Sequence, residues 1–193
     1  MKKLTLAIFV MAIAFLSFTN VSAQMMKDKQ MSNGNPMVGG AAMYKTKDIV
    51  DNAVNSKDHT TLVAAVKAAD LVDTLKGKGP FTVFAPTNAA FDMLPAGTVE
   101  TLLKPENKAM LTKVLTYHVV AGNMDSKAIM KAIKKGKGKA MLTTVSGGML
   151  TATMRGNNLM LTDEKGGMTT VTIANVKQSN GVIHVVDHVL MPN

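Results

Sequence analysis

From Lys45 onward, apolar positions first recur at helical spacing and later alternate as in strands, so a helical half precedes a sheet-forming half. Ile49, Val50, Ala53 and Val54 predict a helix within Asp48 to Asn55. Leu62, Val66 and Ala69, with Val63 and Leu75 alongside, form the buried stripe of a second helix. It starts near Asp58 or His59, with Asp58 or Thr60 available to cap it, and Gly77, Gly79 and Pro80 end it. Phe81 to Phe84 is a short β-rich run stopped by Ala85-Pro86-Thr87-Asn88. Thr87 or Asn88 can cap the next turn, which carries Ala89, Phe91 and Leu94 before Pro95. Val99 to Lys104 and Glu106 to Leu115 continue at helical spacing, Thr116 to Val120 turns extended, and Ser126 to Lys135 is a short basic helix ended by Gly136.

The last third is rich in β-branched residues. Met141 to Val145, Met149 to Met154, Leu159 to Thr162, Thr169 to Val176 and Val182 to Leu190 are separated by Gly147-Gly148, Gly156-Asn157, Gly166-Gly167 and Asn180-Gly181. Short strands joined by such turns predict an antiparallel meander. The class is therefore α+β, in a single domain without internal repeats.

Two segments precede that domain. Lys2 and Lys3, the apolar run Leu4 to Phe18 and the small residues Val21-Ser22-Ala23 read as a signal peptide over 1–23, with cleavage after Ala23. The run is short for a bilayer span, so no transmembrane span is expected and the product is secreted or periplasmic. Residues 24–44 read as a Met-rich flexible linker, punctuated by Gly34, Pro36, Gly39 and Gly40. Met25, Met26, Met31, Met37 and Met43 raise a thioether site for soft ions, but their spacing is irregular and no His accompanies them. The domain is placed at 45–192.

Composition narrows the chemistry. With no Cys among 193 residues there is no disulfide, thiolate site or cysteine nucleophile, and 4% aromatics without Trp leave stacking surfaces for sugars or nucleic acid poorly supplied. Losing Lys2 and Lys3 lowers the formal charge from +9 to +7, which still favours anionic partners. No nucleophile elbow or phosphate-binding loop is present. His184 and His188 at i, i+4 would share a helix face and suit zinc, with Asp187 nearby. The β-branched neighbours Val182, Ile183, Val185, Val186 and Val189 predict a strand instead, which sets the two imidazoles about 13 Å apart. No metal, cofactor or catalytic set is therefore expected.

Two features suit a partner. Tyr117 and His118 follow one another at a helix-to-strand passage, either as an exposed recognition pair or with one ring packed in the core. Lys127, Lys131, Lys134, Lys135, Lys137 and Lys139 form a dense basic stretch that suits polyanions. The expected partner-binding residues are Tyr117, His118, Lys131, Lys134 and Lys135.

Phe81-Thr82-Val83-Phe84-Ala85-Pro86-Thr87-Asn88-Ala89-Ala90-Phe91 resembles the first signature of fasciclin-type domains, and Asn180 to Pro192 resembles the second. Leu115-Thr116-Tyr117-His118-Val119-Val120 is similar to the family's Tyr-His segment. The resemblance runs from about Tyr44 to Pro192 and implies a wedge of two mainly antiparallel β-sheets flanked by several helices. It implies a non-enzymatic role in adhesion and extracellular matrix association, with an extracellular or envelope protein or an anionic glycan as partner. In animal members, integrin binding is tied to the Tyr-His segment and to an Asp-Ile pair; here Asn175-Val176 stands at that pair, without the carboxylate. Some relatives bind carotenoids, so the alternative is a carrier of an apolar ligand such as a lipid or carotenoid. The 15 methionines after Ala23 suit adaptable apolar surfaces.

Overall fold

The computed structural model describes residues 31–193 apart from residue 33. The expected signal peptide and residues 24–30 of the expected linker lie outside the described residues. What is described of that linker is built into the fold. Strands β1 (Met31–Ser32), β2 (Asn35–Val38) and β3 (Ala41–Ala42) pair antiparallel in a small sheet. Gly39 and Gly40, both at positive φ, make the tight turn between β2 and β3. Val38 and Met43 are buried in the main core, and the Gly39 carbonyl accepts from the Lys57 N–H at 3.0 Å. Met43 is thus a core side chain, and its thioether is not part of a surface cluster. The segment has too few apolar residues to register a period, which is why it reads as linker in isolation.

Helix α1 (Ile49–Ala53) starts at Asp48, whose side chain accepts from the Asp51 N–H at 2.8 Å. A 3-10 turn, Lys57–His59, leads into α2 (Thr60–Ala68). The stripe expected to continue to Leu75 is interrupted where Asp70 adopts a φ of 55°, and Leu75 belongs to a separate α3 (Val72–Lys76). Then come α4 (Asn88–Asp92), capped by Thr87, α5 (Thr98–Leu102) and α6 (Lys108–Tyr117). Helix α7 (Ser126–Lys135) is capped by Asp125 and carries Lys134 and Lys135 in its last turn, where cations suit the helix dipole.

The main sheet contains β4 (Phe81–Pro86), β5 (Val119–Ala121), β6 (Lys139–Thr143), β7 (Met149–Arg155), β8 (Asn158–Thr162), β9 (Met168–Gln178) and β10 (Gly181–Val186), in the order β5-β4-β10-β9-β8-β7-β6. Every pair is antiparallel except β4 with β10, which run parallel with Gly181 opposite Phe81 and Val186 opposite Pro86. Strand β10 is buried at all six positions and β4 at five of six. Continuous apolar runs of this kind belong at the centre of a sheet covered on both faces.

Strand β9 divides the sheet into two leaves. Its first residues pair with β8 and the remainder with β10, and within the β9–β10 pairing the register shifts between Ile183 and Val186. Asn175, at φ 63°, lies in that irregular stretch. The far edges of the leaves also meet: Val120 bridges Thr144, and the Val145 N–H donates to the Val119 carbonyl at 2.7 Å. The result is a wedge. Its interior holds Phe84, Tyr117, Val120 and Val186 against Leu142, Leu150 and Leu161, with Ile129 and Ile133 of α7 closing the open side. A second core lies between the outer face of the β4–β10 leaf and helices α1 to α6.

Candidate functional site

Tyr117 and His118 do not form a strand pair. Tyr117 is the last residue of α6 and His118 its C-cap, so the extended segment begins only at Val119. Both are buried, and neither ring meets solvent as an exposed recognition pair would. The Tyr117 hydroxyl donates to the Met149 carbonyl at 2.8 Å and accepts from the Glu164 N–H at 3.1 Å. Burial, with Glu164 and Asp163 nearby, pushes the phenol up to about 12. Tyr117→Phe is expected to lower stability by about 1–2 kcal/mol, measured by urea unfolding, because both bonded groups lose a buried partner.

His118 ties α6 to the C-terminal segment. Its Nδ1–H donates to the Val114 carbonyl at 2.8 Å, and Nε2 accepts from the Leu190 N–H at 3.0 Å. These partners select the neutral Nδ1–H tautomer. Burial drives its pKa down to about 4. Asp163 accepts from the Met191 N–H at 2.9 Å and Glu164 from the Asn193 N–H at 3.3 Å, so the same locus clamps the last residues of the chain. The arrangement is hydrogen-bonded throughout, which is the mark of a structural clamp.

His184 and His188 part company. His184 is fully buried in β10, donates from Nε2 to the Met124 carbonyl at 3.0 Å and stacks on Phe84 with centroids 5.6 Å apart. The strand ends at Val186, and His188 lies exposed beyond it, its Nδ1 2.8 Å from Asp187. Asn175 presents its amide to Ser126 at the start of α7: Oδ1 accepts from the Ser126 N–H at 2.7 Å, and Nδ2 donates to the Ser126 hydroxyl at 2.7 Å.

The lysines, in contrast, face water together. Ile129 and Ile133 are buried, whereas Lys127, Lys131, Lys134 and Lys135, at i, i+4, i+7 and i+8, share the outer face of α7. Lys137 and Lys139 follow in sequence and are exposed. Arg155, at the end of β7, is exposed as well, but strand alternation sets it and Lys139 on the face of the β6–β7 leaf away from the one α7 covers. None of the lysines on α7 forms a salt bridge with a described acid.

A separate apolar cavity of about 90 Å³ opens between α1, α2 and α3 on one side and β4, β5 and the end of α6 on the other. Ile49, Val66, Leu71, Phe81, Leu115 and Val119 supply much of its wall.

With the fold and these surfaces established, comparison with known proteins is decisive. The family model of the fasciclin domain matches residues 57–192. The chain belongs to the fasciclin domain family. Protein sll1483 of Synechocystis sp. is 42% identical over 184 residues, covering 93% of this chain and 95% of that protein. Cell surface glycolipoprotein MPB83 of Mycobacterium bovis is 34% identical over 169 residues, covering 84% of this chain and 69% of its own. The structure of a FAS1 domain pair from the insect cell adhesion molecule fasciclin I superposes with a TM-score of 0.66 at 16% identity, over 75% of this chain and 51% of that one, a likeness of fold. In this fasciclin domain the two signature segments are the adjacent parallel strands β4 and β10. The Tyr-His segment is bonded to the first of them: the Phe84 N–H donates to the His118 carbonyl at 2.9 Å. The strand portions of both signatures are interior, while Ala89 and His188 within them are exposed. No helix among the described residues is long and apolar enough to cross a membrane.

Proposed function

We propose that this fasciclin domain is a non-enzymatic, secreted or periplasmic adhesion module that docks on an envelope protein or an anionic glycan through the outer face of α7. The observation that carries this reading is the row of exposed lysines on α7, Lys127, Lys131, Lys134 and Lys135, without an acidic partner among the described residues. A field of one sign concentrates polyanions at the surface and weakens as salt screens it. The cell-surface and cell-adhesion names of MPB83 and fasciclin I fit the same setting.

The Lys131→Gln, Lys134→Gln, Lys135→Gln triple variant tests it. These side chains are exposed, so stability should fall only by the roughly 1 kcal/mol that Lys134 and Lys135 contribute at the helix C-terminus, while affinity for immobilised heparin, a sulfated probe, falls about tenfold. Retention that survives the triple substitution would overturn the reading.

The second reading, a carrier of an apolar ligand such as a lipid or carotenoid, is favoured by the open apolar cavity beside α2. A lipid or pigment extracted from protein purified from its native host would support it.

A further inference from the structure

The cavity between α2 and β4 has an asymmetric wall. Its lining is aliphatic and aromatic carbon apart from Lys67, Thr74, Thr116 and His118. His118 is neutral, with both ring nitrogens already bonded to Val114 and Leu190. The Thr116 hydroxyl donates within α6, to the Thr112 carbonyl at 2.6 Å. Thr74 belongs to α3 and sits at the exposed rim. No lining residue is acidic, and the one charged side chain is that of Lys67, exposed on the last turn of α2. The acid nearest to it in sequence, Asp70, is paired with Lys108, and no described acid forms a salt bridge with Lys67.

These facts select a ligand. A sugar or peptide would find no bonding partner within such a wall and would lose its hydration on entry. An apolar cavity of about 150 Å³ admits benzene. At about 90 Å³ this one is smaller, so it accepts the end of an alkyl chain with the remainder along the mouth. Lys67 lends its methylene stem to the wall, and its exposed ammonium is within reach of the mouth, where it complements a negative head group.

Resting on the carrier reading, we infer that this cavity takes a single-chain amphiphile with an anionic head, its alkyl end among Val66, Leu71 and Phe81 and its head at Lys67. The shared chemistry is an alkyl chain ending in carboxylate or phosphate.

The test is calorimetric titration of the purified protein with decanoate, decyl phosphate and decanol. One saturable site is expected, with decanol about two- to fivefold weaker than the better anion, and Lys67→Gln should erase that difference. Which anion binds more tightly distinguishes a fatty acid from a phosphate-headed lipid as the source. Val63→Phe, at a half-buried lining position, should weaken all three at least tenfold, and Ala53→Leu provides a second plug should Val63→Phe not fold. Equal binding of decanol and the anions overturns the head-group assignment and leaves the carrier reading intact. Binding of a carotenoid but none of the three decyl compounds overturns this inference alone. No binding of any apolar ligand, or binding that both plugged variants retain, removes the cavity as a site altogether.

Discussion

Phe84→Ala is expected to lower stability by about 3–5 kcal/mol, read as a fall in the urea midpoint at unchanged slope. Phe84 sits at the centre of β4, fully buried where the two leaves of the wedge converge. Its ring stacks on the His184 imidazole and touches the cluster that includes Val120, Val186 and Leu190. Truncation removes the transfer free energy of a phenyl group and leaves a void that a sheet closed at both edges cannot collapse into. The same void takes away the apolar cover of His184, which then stands beside empty space. A loss under 1 kcal/mol would mean that the interior of the wedge is not packed as described.

Acidification is the second large effect. Unfolding free energy should be level above about pH 7 and fall as the pH drops from 6.5 towards 4. Burial drives His118 down from its ordinary 6.5 to about 4, so the folded state favours the neutral ring while the unfolded chain protonates first. Its contribution is therefore complete above 6.5 and is lost on the way down through the folded value, in all about 3 kcal/mol. Protonation places an Nε2–H against the Leu190 N–H, two donors facing one another in the clamp on the C-terminal residues. Burial lowers His59 and His184 in the same direction and adds to the loss.

Carboxylates act in a different window. Burial raises Asp48 and Asp187, but hydrogen bonds and neighbouring charge outweigh it, and the N–H groups of Met149 and Asn193 lower Glu164. Their loss starts only as the pH falls into the ordinary carboxylate range, about 4, and finishes below it, so the decline above pH 5 belongs to the buried histidines. Urea titrations at pH 7.5, 6 and 5 check this. His118→Gln should be less stable at pH 7.5 and show a shallower decline. Equal stability at pH 7.5 and 5 would contradict the buried neutral rings.

Much of the architecture was legible along the chain. The basic helix Ser126 to Lys135 with its stop at Gly136 was read from the sequence, and the observed α7 runs over those residues, with Asp125 as the cap and Ile129 and Ile133 buried. The Gly-containing turns mark the hairpins between β6 and β9, and the β-branched run from Val182 marks a strand, which ends at Val186 rather than at Leu190.

Other features were not legible. The β2–β3 segment holds too little apolar sequence to register, and only its docking on the turn at Ser56 and Lys57 makes Val38 and Met43 core residues. The Tyr-His segment read as extended because Val119 and Val120 follow it. In the structure α6 carries on through Tyr117, since Leu111, Val114 and Leu115 need a common buried face.

Local spacing, caps and turn residues thus determined the elements of this fasciclin domain, because those interactions lie within a few residues of one another. The parallel pairing of β4 with β10, the burial of Tyr117 and His118 and the cavity at Lys67 were decided by tertiary structure alone. Each depends on which faces meet across about 30 to 130 positions, and nearby side chains carry no record of that separation.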